Sequence, residues 1–196
     1  MGLTEQQQLL ARLYTDTKLR TDFYSDPAAI GQSLGVEPED IEQLAKSSPQ
    51  EVGLFAGSLK RKRLGEVKKL LGLTYMTLGS RFQDLFLQFA DLHVPQGIKK
   101  HSDDAIAFAR YLSESIGREE PDPPWLLELV RFESSWLQAW DADCRWLVER
   151  FRYPVGIIAR QLHLGRTPRV PRFRTAAIWF RLRPKGRLWF FAVPFV

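Results

Sequence analysis

RWLVERFRY, residues 145–153, is the stretch on which the fold class turns. Before it, apolar residues recur every three or four positions, as on a helix face. Within it, bulky and charged side chains alternate, the period-two pattern of a strand. Downstream, residues 154–164 read as a short helix ended by Gly165. The stretch GRTPRVPRFR at 165–174 is a loop, because Pro168 and Pro171 exclude regular helix. AIWFRLR (177–183) and RLWFFAV (187–193) then flank a Pro and Gly turn, a hairpin signal. The second of these runs is apolar on both faces and is expected to be the buried strand of the group.

Upstream, the first 140 residues read as helices with punctuated ends. Thr4 with Gln7 has the spacing of a capping box, and Leu9, Leu10, Leu13 and Tyr14 follow on one face. Asp26 before Pro27 is an N-cap with proline at the first helical position, and Gly35 suits a left-handed helix end. Ser48, Pro49 and Glu51 repeat the start signal and open the longest helix, expected to run to Leu71 before Gly72 stops it. Leu78, Phe82, Leu85, Phe86 and Phe89 predict one core-facing helix. Ser102, Asp103 and Asp104 predict the start of another, and Asp122 with Pro123 the start of a third. In that third helix Trp125, Leu129, Phe132, Trp136 and Trp140 line one side, which makes it central. The expected fold is therefore α+β: a mostly α-helical bundle over residues 1–140, followed by a small C-terminal antiparallel β-sheet or ribbon in a basic subdomain over 141–196.

Composition bounds the functional classes. The chain has 196 residues, 44% hydrophobic and 26% charged, as expected for an ordinary globular domain. A single cysteine, Cys144, excludes an intrachain disulfide and paired-cysteine zinc motifs. No secretory leader pattern and no uncharged apolar run of transmembrane length is seen, so the expectation is a soluble, cytoplasmic protein with no membrane association. Net charge is +5 but unevenly placed: from Arg145 onward twelve Lys or Arg face one acid, Glu149. Eleven of those twelve bases are arginine, which suits bidentate contact with carboxylate or phosphate. The basic end either docks on acidic residues of its own chain or meets an anionic partner.

Arg172, Arg174, Arg181, Arg183 and Arg187 lie among Phe173, Trp179, Trp189 and Phe190, and form the candidate anion- or partner-binding set. Bases beside flat rings are also what single-stranded nucleic acid binding uses. Arg63 joins the set because it falls within the apolar stripe of Val52, Phe55, Ala56, Leu59, Val67 and Leu70, where a guanidinium needs a partner; Glu66 is placed to supply one. No catalytic constellation, metal-ligand spacing or cofactor motif appears. His93, His101 and His163 lack paired-ligand spacing, and the acids before Cys144 disfavour a thiolate.

LARLYTDTKLRTDFYSDP, SLKRKRLGEVKKLL and DAIAFARYL together resemble uncharacterised bacterial helical modules found beside, or fused to, multinuclear non-haem iron oxygenases that modify ribosomal peptides. The resemblance spans roughly residues 9–135 and implies an accessory role: presenting a peptide or supporting a partner enzyme, with the iron ligands on that partner. It carries over no catalytic residue, since Tyr14, Asp16, Arg20 and Asp26 read as packing and capping residues, and it leaves the Arg-rich end unaddressed. The expected function is a non-catalytic binding or accessory module acting through its basic C-terminal sheet, with an acidic protein or peptide partner, an oxygenase among the candidates. Nucleic-acid binding through the same tail is the alternative.

Overall fold

The computed structural model describes residues 2–94, 100–117 and 121–194, and the side chains of all of these except 2–4 and 100. The described residues form helices α1 (Gly2–Thr15), α2 (Thr17–Ser25), α3 (Pro27–Ser33), α4 (Pro38–Ala45), α5 (Pro49–Leu70), α6 (Gly72–Leu78), α7 (Ser80–Leu92), α8 (Lys100–Ile116) and α9 (Leu126–Trp140). Strand β1 (Trp146–Phe151), helix α10 (Val155–His163) and strands β2 (Thr175–Phe180) and β3 (Trp189–Pro194) complete the order. The architecture is α+β, helices first and a small antiparallel sheet last.

Two compact units divide the chain. The first comprises residues 1–65 and 87–94, the second residues 66–86 and 95–196, so that the division falls inside α5 and α7. The first unit buries Leu9, Leu13, Phe23, Ile41, Leu44 and Val52 in one cluster. Its helix starts follow the sequence signals at Asp26, whose carboxylate accepts from the Ala29 N–H at 3.0 Å with Pro27 at the first position. Asp16 adds a start that the periodicity concealed, accepting from Leu19 N–H at 2.8 Å and separating α1 from α2. Gly35 takes the left-handed conformation expected of it, with φ +72°. At Thr4 the expected cap is not a helix boundary, because α1 starts at Gly2; the Thr4 side chain lies outside the described residues.

In the second unit α9 is the central element. Leu126, Leu129, Val130 and Ala139 are fully buried, and Phe132 packs with Phe151, Trp179 and Phe190. Phe82 and Phe86 meet Phe108 of α8 edge-on at 5.1 Å, a geometry aromatic quadrupoles favour. The helix expected from Asp122 and Pro123 starts at Leu126 instead, and α8 is already under way at Lys100, ahead of Ser102. The longest helix, α5, ends at Leu70, one residue short of the expected end before Gly72. Helix resumes there as α6 and breaks at Gly79, whose φ of +57° and ψ of −127° are accessible only to glycine.

The sheet order is β1-β2-β3, antiparallel throughout, with Trp146 opposite Phe180 and Phe180 opposite Trp189. The central, buried strand is β2. β3, expected to be the buried one, is an edge strand with most of its residues exposed. A strand apolar on both faces looks central only when both faces are covered, and here one is not.

Candidate binding surface on the C-terminal sheet

Period-two geometry sorts the sheet residues onto two faces. Thr175, Ala177 and Trp179 point inward and are buried, while Ala176, Ile178 and Phe180 point outward. The register carries that division to the flanking strands. Outward lie Trp146 and Val148 on β1 and Trp189, Phe191 and Val193 on β3, all exposed. Trp146 stacks on Phe180 at 5.4 Å, and Phe180 on Phe191 at 5.9 Å. The outer face is thus a row of aromatic and branched side chains with one charged member, Arg150.

The edges differ. A backbone bond from Arg181 N–H to the Arg145 carbonyl, 3.0 Å, fixes the alternation of the ladder. It directs the Arg150 carbonyl away from β2, where the Arg131 guanidinium donates to it. By the same alternation Phe190 and Ala192 of β3 direct their N–H and C=O groups away from β2. No backbone partner meets those groups among the described residues. One edge of the sheet is therefore blunted by a side chain and the other is open.

Of the twelve bases beyond Cys144, eleven are exposed. Arg172 and Arg174 come together with Arg152 around one cleft at the end of the sheet where β2 begins. Arg183 and Arg187 sit at the opposite end, by the β2–β3 turn, with Arg187 4.5 Å from the Trp189 ring centroid. Arg181 does not belong to the surface. It is 6% exposed and donates to the Gly186 carbonyl at 2.7 Å, the Ala139 carbonyl at 3.0 Å and the Trp140 carbonyl at 3.2 Å. Its charge satisfies the orphan carbonyls at the negative end of α9 and ties them to the β2–β3 turn. Arg63 belongs to the first unit, half-buried, and donates to the His93 carbonyl at 2.9 Å.

Sequence reasoning passed over Glu133. Its two carboxylate oxygens accept the Leu73 and Thr74 N–H groups, each at 2.8 Å, and so cap the start of α6 from the side of α9. Burial pushes the carboxyl above the usual carboxylate range; hydrogen bonds from Thr74 and Leu73 and the charge of His163 counter only part of that rise. The residue lines a cleft of about 400 Å³ with Lys69, Met76, Trp136 and His163. The signal was present in the sequence: Glu133 stands on the stripe of Leu126, Leu129, Val130 and Leu137, the same kind of misfit that drew attention to Arg63.

Cys144 is half-buried, with its thiol 3.6 Å from the Trp146 carbonyl. Among the described residues no group of three or more His, Cys, Asp or Glu is placed to hold a metal ion, and no helix is long and apolar enough to cross a membrane. No protein-family model matches the chain, and no curated protein matches it significantly.

Proposed function

We propose that the chain is a non-catalytic binding module whose C-terminal sheet takes an extended, acidic segment of a partner protein or peptide along β3. The observation that carries this reading is the open β3 edge, with the donors and acceptors of Phe190 and Ala192 unpaired, lying between arginines at both of its ends. An added strand supplies those main-chain bonds, and alternate side chains supply specificity. On the outer face its apolar residues continue the row of Trp189, Phe191 and Val193, as cross-strand neighbours do. Its acids meet Arg183 and Arg187 at one end and Arg174 at the other. The resemblance of residues 9–135 to oxygenase-associated modules supports a partner enzyme or its peptide substrate as the source of that segment.

The same surface bears on nucleic acid, the competing reading. Base stacking needs free ring faces, whereas Trp146, Phe180 and Phe191 overlap one another. Fluorescence anisotropy with a short labelled peptide alternating Glu and Val separates the two. Binding is expected to weaken with salt and to vanish when Lys replaces Glu in the peptide. Ala192→Pro removes the outward N–H without touching the β2–β3 ladder, so it should abolish binding while the sheet stays folded. Retention of affinity in Ala192→Pro, or tighter binding of a labelled oligonucleotide than of the peptide, would defeat the edge-pairing reading.

A further inference from the structure

We infer that the cleft formed by Arg152, Arg172 and Arg174 is a binding site for a phosphate monoester or free phosphate; it shares Arg174 with the end of the β3 edge but needs no added strand there. The three side chains line a cleft of about 480 Å³. Arg152 and Arg172 also line an adjoining cleft of about 700 Å³ with Ser113, Glu128, Arg131 and Tyr153. The backbone brings the trio together. The last paired residues of β1 and β2 are Phe151 and Thr175, so Arg152, which leaves β1, and Arg174, which enters β2, flank the same end of the ladder. Arg172 follows two residues away from Arg174. Like charges brought together at one end of a sheet repel and destabilise it.

The surroundings hold that arrangement in place without neutralising it. Glu128 accepts the backbone N–H groups of Arg152 at 2.6 Å and Tyr153 at 2.9 Å, which fixes where the Arg152 side chain leaves the chain. The Thr175 hydroxyl donates to the Tyr153 carbonyl at 3.0 Å and ties the two segments together beside Arg174. Arg131 is engaged elsewhere, lying 3.6 Å from the Glu149 carboxylate and over the Phe151 ring. Among the described residues no carboxylate pairs with Arg152, Arg172 or Arg174. Even with Glu128, which lines only the adjoining cleft, counted against them, the three guanidiniums keep two net positive charges. A single carboxylate offers one charge and two oxygens, which one arginine saturates. A phosphate monoester carries nearly two charges and three terminal oxygens, enough acceptors for three guanidinium forks.

The test uses the full chain with phenyl phosphate, inorganic phosphate and an oligothymidylate, against sodium chloride at equal ionic strength. Calorimetry is expected to give saturable binding of phenyl phosphate, with a rise in Tm beyond that from chloride. Arg152→Gln and Arg172→Gln should each weaken binding about tenfold, whereas Arg160→Gln, on α10, should not. Without ligand the first two variants should keep or raise the Tm, since each relieves repulsion. A tighter phenyl ester marks a phosphorylated ligand and equal affinity for inorganic phosphate marks the free ion; both are the proposed chemistry. No saturation beyond chloride, unchanged affinity in the two variants, a lowered ligand-free Tm, or displacement of phenyl phosphate by the oligothymidylate would each overturn it.

Discussion

Two carboxylates, one in each unit, make opposite demands on pH. Glu133 closes the start of α6 with both oxygens, so Glu133→Ala leaves two buried N–H groups without acceptors and should cost about 2–4 kcal/mol in urea denaturation. Because burial raises its carboxyl in the folded state, the stability tied to that titration is full below the ordinary glutamate value of about 4.3 and is lost as pH rises through the raised value. The stability of Glu133→Gln relative to the native chain should therefore improve as pH rises from acid to neutral. Burial also pushes Asp91 up, but hydrogen bonds from Lys60 and Thr17, with the charges of Lys60 and Arg20, outweigh it and hold that carboxyl below its usual value. Its contribution is present above the ordinary aspartate value of about 3.9 and disappears as pH falls. The Asp91 side chain is 45% exposed, so solvent screening limits the cost of Asp91→Asn at neutral pH to about 0.5 kcal/mol, vanishing in acid. At this scale the sequence was legible by parity and stripe. Arg63 stood on an apolar stripe and found a carbonyl. Arg181 shares parity with Ala177 and Trp179, which places it inside, yet its charge drew it into the surface set.

The helix start at Asp26 was readable because proline follows the cap, whereas the equally capped start at Asp16 was hidden by apolar spacing that runs on through it. Breaks that depend on one backbone conformation were not readable either. The stripe from Leu78 to Phe89 keeps its spacing across Gly79, so periodicity joins what the chain separates into α6 and α7. Composition alone would make Gly79→Ala a stabilising gain in helix propensity. With φ at +57° and ψ at −127° it should instead cost about 1–2 kcal/mol, read from thermal denaturation. Hairpin strands pose a related problem. The hairpin signal predicted that β2 and β3 pair, and they do, but which of them is central depends on where β1 adds. β1 adds to β2, so the run that is apolar on both faces became an edge.

At the scale of the molecule the charge asymmetry was plain in the sequence while its placement was not, because acids of the same chain can neutralise a basic segment only if the fold brings them near. The second unit holds twenty Lys and Arg against thirteen Asp and Glu, and eleven of the twelve bases after Cys144 face solvent. Repulsion among exposed charges of one sign is screened by salt, whereas internal ion pairs are weakened by it. Raising sodium chloride from low to physiological concentration should therefore raise the Tm, by about 2–4 °C if the relief amounts to about 1 kcal/mol. A Tm that falls over the same range would mean that the guanidiniums are paired within the protein. An open strand edge between arginines would then lose the field that draws an acidic segment to it, and the cleft of Arg152, Arg172 and Arg174 would lose the uncompensated charge that a dianion would balance.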